Sequence, residues 1–101
     1  MSNPIQNADY FIAKFEAIPD NRWCVNTYEG GGIIRRKHCA VGHCGVRDFF
    51  TTTDEARCLY QVFGDLMVTA VNDGRHPGYP QPTPKQRILA ALRDIKAMEG
   101  K

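Results

Sequence analysis

A chain of 101 residues, 43% hydrophobic and 24% charged, has the make-up of one soluble globular domain and leaves no length for a second core. Its formal net charge of +2 and sequence pI of about 8.4 lie below the roughly pI 9 of a dedicated nucleic-acid-binding domain. No apolar run approaches the roughly 18 residues of a membrane span, so a membrane partner is excluded as well.

The opening "MSNPIQNADY" lacks a basic stretch followed by an apolar run, so it does not read as a signal peptide. The expected compartment is the cytoplasm, where Cys24, Cys39, Cys44 and Cys58 stay thiols. From Asn3 to Ile18 the spacing predicts a helix. Asn3 serves as cap, Pro4 as first helical residue and Gln6 as the capping-box partner. Ile5, Ala8, Phe11, Ile12, Phe15 and Ile18 form its apolar stripe. Pro19 stops it.

"WCVNTYEGGGIIRRKHC" predicts a β-hairpin, with Trp23, Val25, Thr27, Tyr28, Ile33 and Ile34 as strand formers and Gly30-Gly31-Gly32 as the reversal. A phosphate-cradling loop is the functional rival for those glycines. Ile33-Ile34 follow them where a Walker loop needs Gly-Lys-Ser/Thr, which argues against it. In Arg35-Arg36-Lys37, strand alternation sends Arg35 and Lys37 to one face and Arg36 to the other, diluting any phosphate-binding patch.

"AVGHCGVRDFF" reads as a short helix or a glycine-interrupted turn. The segment from Thr52 to Gly74 predicts one long central helix, opened by a Thr52–Glu55 capping box. Ala56, Leu59, Tyr60, Phe63, Leu66, Met67, Ala70 and Val71 line its buried face, and Gly74 is its left-handed cap. Asn72-Asp73-Gly74 is read as a capping turn and not as a catalytic carboxylate. "RHPGYPQPTP" holds four prolines and predicts a stiff connector. A last helix starts at Thr83-Pro84, buries Ile88, Leu89, Leu92 and Ile95, and turns Lys85, Arg87, Arg93 and Lys96 to water. The fold class is therefore α+β: a helix-dominated single domain over residues 1–101, three main helices packed with a β-hairpin and a short helical turn.

"KHCAVGHCG" (residues 37–45) carries the only dense set of chemical side chains. One alternative is a metal set of Cys39, His43 and Cys44, since Cys39 and His43 share a face if the segment is helical. Another is a reactive Cys39 with its pKa lowered at a helix start and His38 or His43 as base. No acidic residue or Asn in the segment orients an imidazole for that role. The favoured reading makes the sulfurs core filler and the imidazoles its rim, with no cofactor and no catalytic set.

Trp23, Cys39-Ala40-Val41-Gly42, Asn72-Asp73 and the last helix, in that order, resemble small uncharacterised bacterial and phage domains with a Trp, a C-A-x-G step, an N-D pair and a leucine-rich C-terminal helix. The resemblance covers about residues 5 to 96 and implies architecture without an assigned activity. Gly42-His43-Cys44-Gly45 is richer in His and Cys than that pattern requires. The function expected is a small non-enzymatic module that binds a protein partner through Trp23, Tyr28, Arg35 and Lys37, with Tyr79 as a further aromatic anchor. Trp23 has a competing place in the core.

Overall fold

The computed structural model describes residues 7–25, 29–30, 37–46 and 52–99. Its first helix, α1 (Ala8–Glu16), begins later than the capping pattern suggested. Asn7, not Asn3, is the cap, its side chain accepting the Tyr10 N–H at 3.0 Å. An Asn oxygen aimed at the third helical N–H satisfies a donor that no helical carbonyl reaches. Ala8, Phe11 and Phe15 are buried, with Ile12 and Ile18 packed at their margin. Pro19 then leads into a 3-10 turn, Asp20–Arg22.

The strands are short. β1 (Glu29–Gly30) and β2 (Lys37–His38) pair antiparallel, with Glu29 opposite His38 and Gly30 opposite Lys37. Gly30 therefore sits in the ladder and not in a reversal. Trp23 bridges His38 in the parallel sense, and the Cys24 N–H donates to the His38 carbonyl at 3.1 Å. Trp23 is thus no antiparallel arm of the expected hairpin. Residues 26–28 and 31–36 lie outside the described residues, and Tyr28 and Arg35 with them.

α2 (Ala40–His43) is the short helical turn. The expected long helix is two: α3 (Asp54–Phe63) and α4 (Val68–Asp73). The break is at Gly64, whose φ of 58° lies in the left-handed region that glycine enters without a Cβ penalty. The apolar face does not continue across it. Tyr60 and Met67 are 45% and 65% exposed, because the chain changes direction between them. Thr53, not Thr52, caps α3 by accepting the Ala56 N–H at 3.1 Å, and its hydroxyl donates to the Cys44 carbonyl at 2.6 Å. With the cap at Thr53, the third helical residue is Ala56, so the expected capping box does not form.

α5 (Pro84–Glu99) starts as expected, with Thr83 accepting the Gln86 N–H at 3.2 Å. It is also the true centre of the molecule, packing against α1, α2, α3 and α4. Ile88, Leu89, Ala91 and Leu92 are buried on it. At about 2 kcal/mol for each large apolar side chain removed from water, this stripe is a main source of stability. Arg87 was expected in solvent and is 8% exposed. Its Nε donates to the Val71 carbonyl at 3.1 Å, one Nη to Asn72 at 2.7 Å and the other to Gln81 at 2.8 Å. A cation at the last carbonyls of α4 satisfies acceptors the helix leaves open and opposes its dipole. Gly74 caps α4 at φ 79° as expected. A Cβ there would come within 3.3 Å of the Arg87 guanidinium carbon, so glycine is needed for space as well as for conformation.

Among the described residues the architecture is five α-helices around one core with a two-residue ladder at its edge. No helix in them is long and apolar enough to cross a membrane.

Candidate functional site

The chemistry-bearing residues gather where β2 runs into α2. His38 ends the ladder, Cys39 caps α2, and His43 returns one turn later, its N–H donating to the Cys39 carbonyl at 2.8 Å. Trp23 arrives from the 3-10 turn on the other side. Its ring centre is 4.8 Å from that of His43, and the His43 ring is 5.2 Å from that of His38 in an edge-on arrangement. Phe15 closes the back of Trp23 at 5.3 Å, and the indole N–H donates to the Ile18 carbonyl at 3.4 Å.

Trp23 is 5% exposed, so it belongs to the core and not to a binding surface. Tyr79 is likewise buried, its hydroxyl donating to Asp94 at 3.0 Å. Of the expected contact residues, Lys37 is exposed on β2.

The thiols are not poised for attack. Cys39 Sγ accepts the Gly42 N–H at 3.3 Å, the place where Ser or Asp more often caps. Burial raises the Cys39 pKa, and the bonds from Gly42 and Val41 that oppose it do not win. The expected lowering by a helix start is therefore reversed. Cys44 is pushed up to about 12, by burial first and by the Glu55 carboxylate second. That carboxylate was invisible from the segment, since it comes from α3. Placed beside the thiol, it holds the proton on sulfur.

Glu55 organises a second small cluster. It accepts from the Tyr10 hydroxyl and pairs with Lys14 at 3.0 Å. Burial alone would raise its pKa, but the Tyr10 and Lys14 bonds override that and leave it below the ordinary value. Tyr10 is correspondingly raised to about 12, chiefly by its bond to Glu55. The fold then keeps a proton that the unfolded chain releases from about pH 10. Stability from this bond is complete between the carboxylate range and about pH 10, and drains away as pH climbs towards 12. Urea midpoints should show Tyr10→Phe about 1 kcal/mol weaker than the parent at pH 8 and converging with it by pH 12. A difference constant with pH would refute this account.

Cys39, His43 and Cys44 do not share a centre: among the described residues, no group of three or more His, Cys, Asp or Glu could hold a metal ion. What the structure does bring together is His38 with His43. The His43 pKa falls to about 4, through burial and then through His38, so its ring is neutral at pH 7. The Arg22 backbone beside that ring favours its charged form, but burial and His38 outweigh it. The ring's Nε2 has no partner and is buried.

The residue that sequence reasoning missed most completely is Asn72, 1% exposed. Its Oδ1 accepts the Ala40 N–H at 3.0 Å, while Nδ2 donates to the Cys24 carbonyl and to Asp73 Oδ1, both at 2.9 Å. It ties the end of α4 to the start of α2 and to the backbone of Cys24 beside Trp23. The one available signal was an Asn just before the α4 cap, and that reads equally well as a local turn. No family model matches the chain, and no curated protein or solved structure matches it either.

Proposed function

We propose that the chain is a small protein-binding module that performs no chemical step of its own. The observation carrying this reading is the state of its two core thiols. Cys39 and Cys44 are both 4% exposed, one is spent as a helix cap and the other is held protonated by burial and Glu55. Nucleophilic catalysis needs an accessible thiolate, and these environments oppose it. The surface, by contrast, leaves Met67, Tyr60 and Val25 in water, side chains of the kind that serve as interface anchors when a partner covers them.

In this reading the domain is α+β and cytoplasmic, and Tyr28, Arg35 and Lys37 add contacts to the partner. Membership of the small bacterial and phage domains it resembles would agree with this architecture and add no reaction.

Native mass spectrometry of the untagged protein purified from its own host tests the proposal. A stoichiometric protein partner, released by Met67→Glu or Lys37→Glu while the fold is retained, is the supporting result. Partner-free protein whose Cys39→Ala variant loses a measurable turnover would overturn it.

A further inference from the structure

His38 Nδ1 and His43 Nε2 are buried ring nitrogens without a hydrogen-bond partner. A buried polar atom left unpaired costs about 1–3 kcal/mol, and native structures keep such atoms for a reason: a water, an ion or a chemical role. Two of them on rings that touch call for a common explanation.

Three features point to the same one. First, the Arg22 backbone stands as a hydrogen-bonding neighbour of the His43 ring, while Nε2 is buried without a partner. Metal-ligating histidines are held in this way, with the second ring nitrogen donating to a carbonyl or carboxylate. Second, the spacing fits. With metal–nitrogen bonds of about 2.1 Å, two imidazoles on one tetrahedral ion have ring centres roughly 5.3 Å apart; here they are 5.2 Å apart and inclined at 65°. Third, Cys39 is turned to the Gly42 N–H as a helix cap and does not join the two rings in a group of three among the described residues.

We infer that His38 and His43 form a two-imidazole site for a divalent late first-row transition metal ion. Neutral imidazole suits zinc, nickel and copper and not magnesium or calcium. Water completes the coordination, since the described residues supply no third ligand. Both side chains are only partly buried as whole residues. The site goes beyond the binding-module reading and differs from the Cys39, His43 and Cys44 set, which does not converge.

Trp23, the single tryptophan, lies beside His43 and reports on occupancy. Ni²⁺ is titrated into the untagged, metal-stripped full chain at pH 7.5 while tryptophan emission is recorded. Saturable quenching at one equivalent is expected. His38→Gln and His43→Gln should each weaken the midpoint at least about tenfold, and His76→Asn, a histidine outside the pair, should leave it unchanged. Because His43→Gln can fail to fold, Zn²⁺ is also added to the parent protein and the imidazole nitrogens are followed by NMR. Shifts confined to His38 Nδ1 and His43 Nε2 support the site. Non-saturable quenching, quenching indifferent to both substitutions, or ring nitrogens unmoved by Zn²⁺ would each overturn it.

Discussion

Asn72→Ala is expected to lower stability by about 3 kcal/mol. The Ala40 N–H would lose its partner inside the core, and the Cys24 carbonyl would lose this bond at a half-buried position. Each stranded group costs about 1–3 kcal/mol, and the cavity left by the amide adds to it. For a domain of this size that corresponds to a fall in Tm of roughly 15 °C. Asn72→Asp separates hydrogen bonding from packing. The carboxylate can still accept from Ala40, but it offers no donor to Cys24 and places a charge 1% exposed beside Asp73. At pH 7 it should be at least as damaging as alanine, and it should recover part of the loss at pH 4, where the acid protonates and regains a donor. Thermal melts of the three proteins at both pH values decide the matter. An Asn72→Leu variant as stable as the parent would show that shape alone matters there.

The importance of Asn72 also shows where sequence reading stops. The stripes of α1 and α5, the Thr83-Pro84 start, the Gly74 cap and the short turn at 40–43 were all legible, because each depends on residues within one or two helical turns of each other. The continuous helix over 52–74 was not what formed. Its apolar spacing tolerates a break, and only Gly64 at φ 58° reveals one. The register at the ladder was equally hidden. A run of glycines says that the chain can reverse, but the pairing of Gly30 with Lys37 and the parallel bridge from Trp23 to His38 depend on what packs behind them. At the site, the local segment contained His38, Cys39, His43 and Cys44. The groups that act on that segment from outside, Glu55 on Cys44 and Asn72 on the Ala40 backbone, arrive from other elements. The favoured sequence reading, sulfurs turned inward and imidazoles at the rim, followed from residue preference alone, since cysteine is commonly buried and histidine commonly intermediate.

Arg87 belongs with Asn72 in one unit, and its replacement is the second large effect expected. Its side chain looks dispensable on a helical wheel, yet it donates to the carbonyls of Val71, Asn72 and Gln81. Arg87→Met keeps the apolar stem and strands acceptors at the end of α4, for about 3 kcal/mol. Arg87→Lys is no conservative change here. A single ammonium cannot reproduce a planar fork that spans carbonyls of three different residues, so about 2 kcal/mol should still be lost. Both losses should appear as lower urea midpoints with an unchanged slope. The coupling between the two sites is the sharper measurement. Asn72 ties the start of α2 to α4 through its side chain, and Arg87 ties α5 to the same residue through its carbonyl. Removing either loosens the end of α4 on which the other depends. The double variant Asn72→Ala/Arg87→Met should therefore cost at least about 1 kcal/mol less than the two single losses added together. Strict additivity would mean that α4 is fixed by its apolar contacts with α5, and that the two polar ties act independently.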